Sequence, residues 1–426
     1  MAEVGESSKN GEKLSARVVD LAPPSDDDAF PVSAKTFEDQ FDENILQTLD
    51  VERWRLGNDL DHEYQRIERE VREAEKIETA RDKQIREELL PRLSALPNMP
   101  KNAGKHEATP ENIASVHRGL LFNGGVEACD GTIQIHETLP LTIYQIGVSL
   151  VSYRGDQGTW GQRLFRRDLR QKGVDVEEMM QFLERRAKRD SSARMPGQDQ
   201  LGELVQKAIL DYAERAILLR RSEAAWRLGH GNPVTYELLT GGGNLELMVE
   251  ATRVLRELVE VQQKFVFVAG EPREALFRTI GQALRPMEYA IIGTLDERLD
   301  SWLHQERFKI GVSTRLMWDE ELITPAEWIP RVIERVASKI VVGLFRPTIL
   351  APAQSFYAHI DHSDIAGHIA LADSMLKEQG TSTLLEMAHR VCASVFGDSL
   401  EALAESAYIA AGAHNRFLGG RFHRVR

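Results

Sequence analysis

Asp130 has the clearest chemical setting in this chain. It closes the apolar run Val126-Glu-Ala-Cys-Asp130, is followed by Gly131, and precedes a second stretch rich in β-branched residues, Leu141–Tyr153. A carboxylate presented at a strand end can serve a hard divalent ion such as Mg²⁺ or Mn²⁺, which takes carboxylate oxygens that converge from distant parts of a chain. Asp-Gly is equally a common hairpin-turn dipeptide, so the pattern has a purely structural reading beside the chemical one. His359, His362 and His368 lie beside Asp361 and Asp364. Their spacing is not that of a His-Glu-x-x-His zinc helix, and the segment reads as a surface helix start capped by Ser363. The run Gly241-Gly-Gly243 lacks the Gly-Lys-Ser/Thr of a phosphate-binding loop and reads as a tight strand-to-helix turn. Nucleotide hydrolysis by this chain is therefore not expected.

Basic side chains form three groups. Arg163, Arg166, Arg167, Arg170 and Lys172 are interleaved with Trp160 and Phe165, the mixture of charge and ring that a single-stranded nucleic acid stacks against. Arg185, Arg186, Lys188 and Arg189 follow in a helix that also carries Glu177, Glu178 and Glu184. Arg416, Arg421, Arg424 and Arg426 make a basic C-terminal run. The net charge of -13 over 426 residues opposes nucleic-acid binding only superficially. Residues 1–100 hold 14 basic and 24 acidic side chains, which leaves 39 basic and 42 acidic for the rest.

The elements that must position these residues follow from periodicity. Residues 1–37 are polar, with Asp26-Asp-Asp28, and read as a flexible acidic tail. Residues 38–95 hold a long helix: Leu60, Tyr64, Ile67, Val71 and Ala74 are spaced 4-3-4-3, a coiled-coil-like seam, and Pro91 marks its stop. Residues 96–112 form a linker. From 113 to 426, strands are expected at Thr132–Ile135, Leu141–Tyr153, Val234–Leu239, Phe265–Val268, Tyr289–Ile292 and Lys339–Leu344. Helices are expected over 174–228, 245–259, 273–284, 363–378 and 382–396. Strands alternating with helices indicate an α/β core. A hydrophobic fraction of 42% excludes global disorder, and two cysteines exclude a disulfide framework or a cysteine-rich zinc module. No membrane span or secretory leader is expected, and a cytoplasmic location follows.

Taken together, Val126-Glu-Ala-Cys-Asp-Gly-Thr132 with the strand after it, the helical Arg221-Ser-Glu-Ala-Ala-Trp226, the strand and glycine turn Val234–Gly243, and Thr383-Leu-Leu-Glu-Met-Ala-His-Arg390 resemble, in order, the motifs of the NurA nuclease family. The resemblance spans about residues 113–396. It implies a ribonuclease-H-like mixed sheet flanked by helices, and Mn²⁺- or Mg²⁺-dependent DNA cleavage. It further implies a homodimer partnered with a HerA-type hexameric ATPase, in DNA end processing or anti-phage defence. By the same resemblance Asp130 is the first metal ligand, Glu223 a second supplied from a helix, and His389 a residue beside the metal that positions or protonates a phosphate oxygen. The family carries a second Asp-Gly at the end of its second strand, where this chain reads Thr240-Gly241. Glu237, three residues earlier, stands as the substitute ligand, with Glu246 and Asp296 as alternates. Two functions are consistent with this reading: a metal-dependent DNA nuclease subunit, or a non-catalytic scaffold of the same fold that binds the translocase or DNA.

Overall fold

The computed structural model describes residues 34–41, 44–54, 60–137, 141–167, 200–272, 274–296, 315–397 and 399–412, with Met180 and Leu299 besides. Two compact units are present, Met1–Glu75 and Lys76–Arg426. In the first, Asn44 caps a single helical turn by accepting from the Leu46 amide, and most of helix α1 (Leu60–Gln84) follows. A long α-helix is present over Leu60–Gln84, a part of the 38–95 span expected.

The second unit is built on one nine-stranded sheet. Its strands are β1 (Gly104–Glu107), β2 (Val126–Glu137), β3 (Leu141–Ser152), β4 (Gly155–Arg167), β5 (Trp226–His230), β6 (Phe265–Ala269), β7 (Glu288–Thr294), β10 (Ile340–Arg346) and β11 (Gln354–His359). β8 (Leu316–Trp318) and β9 (Glu321–Ile323) form a separate hairpin. The order across the large sheet is β1-β7-β10-β11-β6-β5-β2-β3-β4. β2, β3 and β4 make an antiparallel meander; β5 pairs parallel with β2, and β6 parallel with β5. Helix α2 (Gln200–Arg221) precedes β5 and supplies the crossover that a parallel pairing requires. This meander followed by parallel strands is the ribonuclease-H-like arrangement expected, and the remaining strands extend it antiparallel.

Period-2 alternation sorts the side chains into two cores. Cys129, Phe265, Phe267, Val342 and Leu344 face one side, where α2 and α4 (Leu245–Glu257) pack with Leu218, Met248 and Leu255. Ala128, Leu228, Val266, Val268, Val341 and Phe345 face the other, against Ile369 and Leu371 of α5 (Ser363–Ser374) and Leu384 and Ala388 of α6 (Thr383–Phe396). Both faces of the central strands are covered, which is why Phe265–Val268 and Ile340–Phe345 read as continuous apolar runs.

Three expectations are corrected. Val234–Leu239 is not a strand: Thr235 accepts from the Leu238 amide and starts the short helix α3 (Tyr236–Thr240), which ends at Gly241 with φ +56°. The strand expected there is β5, which ends at His230. Asp130 does not end a short strand; it lies inside the twelve-residue β2, opposite Ser149 of β3. Ser363 is the buried first residue of α5 and donates to the Ile360 carbonyl rather than capping a surface helix. The second and third basic groups, with Arg170 and Lys172, lie outside the described residues.

Candidate active site

Two packing devices place α6 over β2 and β3. At its start, Ser382 accepts from the Leu385 amide, and the buried carboxylate of Asp373 accepts from Ser382, Tyr153 and the Leu384 amide. Burial raises the Asp373 pKa, and these donors oppose that rise. At its end, the Phe396 ring lies on Gly147 and Gly161, which face each other across β3 and β4. A Cβ at either glycine would stand 2.1 or 2.3 Å from that ring. Gln145 holds the same terminus by donating to the Phe396 carbonyl at 2.8 Å. Two turns back from Phe396, the helix presents His389 to the face of β2 that carries Asp130.

His230 reaches the same face from the end of β5. Trp226 and Leu228 of β5 belong to the α5–α6 core, so alternation directs His230 there as well. The chain beyond it is fixed by Arg215 of α2. That buried guanidinium donates to the Asn232 carbonyl at 2.7 Å and the Pro233 carbonyl at 3.1 Å.

The result is a carboxylate between two imidazoles. His389 Nδ1 stands 3.3 Å from Asp130 Oδ2, and His230 Nδ1 stands 3.6 Å from Asp130 Oδ1. Asp130 Oδ1 also accepts from the Gly131 amide at 2.9 Å. The Asp130 side chain is 11% exposed, whereas the two imidazoles are 55% and 58% exposed. Burial raises the Asp130 pKa, and His230, the Gly131 amide and His389 counter it. With each Nδ1 turned to the carboxylate, each Nε2 is left on the side away from it, available to solvent or to a bound anion.

Glu214 lies behind this group, on α2 and across β2 from Asp130. Its Oε1 would be 3.0 Å from a Cβ at Gly131, and Leu210 Cδ1 and the Gly147 carbonyl would be at 2.6 and 2.8 Å. Gly131 is therefore required for close helix–strand approach and not for a turn. Glu214 is buried, and that burial pushes its pKa up to about 8. Arg215, at 3.0 Å, pulls the other way without overcoming it, and Asp130 and Asp211 add to the rise.

The predicted residues separate accordingly. Asp130 and His389 come together. Glu223 lies beyond the end of α2 with its side chain exposed, and its amide donates to Glu127. Glu237 pairs with Lys207. Thr240 donates to the Tyr236 carbonyl as the last residue of α3, so the place after the second strand belongs to His230. Arg163, Arg166 and Arg167 lie on β4; Arg163 donates to Gln145 at 2.7 Å, and Phe165 is exposed. His230 and Glu214 were missed. The first had a signal only in the turn sequence Gly231-Asn-Pro233 that follows it. The second had one in an acidic residue four positions after Leu210, on the apolar stripe of α2.

Among the described residues no group of three or more His, Cys, Asp or Glu is arranged to hold a metal ion. The expected set of carboxylates is thus not assembled. One carboxylate and two imidazoles meet in its place, without the arrangement of a three-ligand metal site. No helix among the described residues is long and apolar enough to cross a membrane.

No family profile and no curated protein sequence matches the chain. It is similar to the solved structure of the NurA nuclease from Sulfolobus solfataricus, at 10% identity and a TM-score of 0.40, over 71% of this chain and 93% of that one. It is similar also to a NurA bound to dAMP and manganese, at 10% identity and a TM-score of 0.40, over 84% and 98%. A third is Ciona intestinalis endonuclease V in complex with DNA, at 10% identity and a TM-score of 0.23, over 63% and 84%.

Proposed function

We propose that this chain is a metal-dependent DNA nuclease subunit of NurA type. In this reading it works as a homodimer with a HerA-type hexameric ATPase, in DNA end processing or anti-phage defence. One observation carries the reading: a buried carboxylate inside strand β2 of a ribonuclease-H-like sheet, set between two half-exposed imidazoles from distant elements. Asp130 and His230 would contribute ligands to a divalent cation, leaving His389 free of it. When bound, it supplies Lewis-acid polarisation of a phosphoryl oxygen and acidifies a bound water.

The protein's own groups have definable tasks. Asp130 orients the His389 imidazole through Nδ1, with His230 Nδ1 3.6 Å away on its other oxygen. The Nε2 of His389 can accept a proton from an attacking water or return one to the leaving oxygen, and a positioned group of this kind contributes on the order of 10²–10⁴-fold. The Arg163 guanidinium on β4 offers positive charge to the phosphate backbone, with Phe165 as a stacking surface beside it.

A second reading, a scaffold without chemistry, is favoured by one feature: the groups touching Asp130 are imidazoles where the resemblance implies carboxylates. Cleavage of labelled linear DNA decides between the two. Wild-type protein should cut with Mn²⁺ and stop in EDTA, and Asp130→Asn should remain folded and lose cutting by at least about 100-fold. A wild-type protein that binds DNA or the translocase but never cuts would establish the scaffold.

A further inference from the structure

Helix α1 carries an apolar seam with nothing upon it among the described residues. Tyr64, Ile67 and Val71 are 68%, 59% and 54% exposed, and Ala74 continues their 4-3 spacing within Met1–Glu75. Written as a heptad, Tyr64 and Val71 are a positions, and Ile67 and Ala74 are d positions. The flanking e and g positions are then Glu68, Glu70 and Glu75, with Glu63 in the same series by sequence. Arg66, Arg69 and Arg72 fall on the outer face, where Arg72 donates to Glu68 at 2.6 Å.

This segregation decides what can cover the seam. In a parallel pair of copies, Glu70 of one would face Glu75 of the other, and Glu63 would face Glu68. In an antiparallel pair, each acidic flank would meet its own copy. Either way every flanking pair is a like-charge pair, which is how coiled coils exclude a partner. A helix with apolar a and d positions and Lys or Arg at e and g meets the same surface with attraction along both edges. We infer that the Leu60–Glu75 segment docks a basic amphipathic helix of another protein and is not a self-association seam. The surface is independent of the nuclease reading.

The test uses the full chain and a synthetic three-heptad peptide with Ile and Leu at a and d and Lys at e and g. Its controls are the same peptide with Glu at e and g, and a Lys peptide whose apolar residues are scrambled off the seam. By fluorescence anisotropy the Lys probe should bind at least about tenfold tighter than either control, and should weaken as salt rises. Ile67→Asp with Val71→Asp should abolish binding while the sedimentation mass of the chain stays unchanged. Glu68→Lys, Glu70→Lys and Glu75→Lys together should transfer the preference to the Glu probe, a gain that no unfolding can mimic. Equal binding of the scrambled peptide, binding of no probe, or a mass that halves in the Asp variant would overturn the inference. So would binding seen only after removal of residues 413–426, which would assign the seam to the chain's own basic tail.

Discussion

Replacing Glu214 by Gln should stabilise the protein at pH 8 and change it little at pH 5. The carboxyl is buried between α2 and β2, and its pKa is pushed up to about 8 from an ordinary 4.5. Between these values the native state keeps a proton that the unfolded chain has released. The native state therefore binds more protons, and this group's contribution to stability falls as pH rises through that window. At about 1.4 kcal/mol per pH unit the whole interval is worth at most about 5 kcal/mol, and the part between pH 5 and 8 about 3 kcal/mol. Gln cannot ionise, and its amide oxygen can still accept from Arg215, so the variant keeps the hydrogen bond and loses the penalty. Urea denaturation of both proteins at pH 5 and pH 8, in EDTA, measures the difference directly. Groups that titrate alike in both proteins cancel. The variant's advantage should grow by about 3 kcal/mol from pH 5 to pH 8. An advantage that stays constant, or a variant weakened equally at both values, would refute the account of Glu214 as a neutral buried acid.

Gly131→Ala should cost about 1–3 kcal/mol of stability, because its Cβ meets a backbone carbonyl as well as Leu210 and Glu214. It should also reduce cleavage by displacing Asp130, and denaturant midpoints with activity on the same samples check both effects. Cys129 and Cys392 are buried, and burial holds the first thiol well above its ordinary pKa and the second up at about 11. Neither should react with a thiol-specific disulfide reagent at pH 8 in the native state, and two should react after unfolding, as counted by absorbance.

Much of the fold was legible because the strands that fill the sheet are apolar runs bounded by turns. Phe265–Val268, Tyr289–Ile292 and Lys339–Leu344 fall on β6, β7 and β10, and the helix expected over 382–396 is α6. β5 was misplaced for two physical reasons. Its run Trp226-Arg-Leu-Gly-His230 contains Arg227, whose charge hides a buried strand. The guanidinium is accommodated by donating to the Ala224 and Ser222 carbonyls. Val234–Leu239 has the composition of a strand, but the Thr235 side chain caps a helix there, a local bond worth about 1 kcal/mol that composition does not register. That one shift put Thr240, and not His230, at the end of the second strand. Asp130 and His389 were legible from motif order. The meeting of Asp130 with His230 depends on the parallel pairing of β2 with β5, a contact of high sequence separation that no local pattern encodes.

The sharpest measurement sets His230→Ala against Glu223→Ala in Mn²⁺-dependent cleavage of linear DNA, with stability measured alongside. Both side chains are exposed, so both variants should fold. The account predicts that His230→Ala loses at least about 100-fold in rate while Glu223→Ala cuts like the wild type. Full activity in His230→Ala together with loss in Glu223→Ala would contradict it, and would restore Glu223 as the helix-borne second ligand that the motif order suggested.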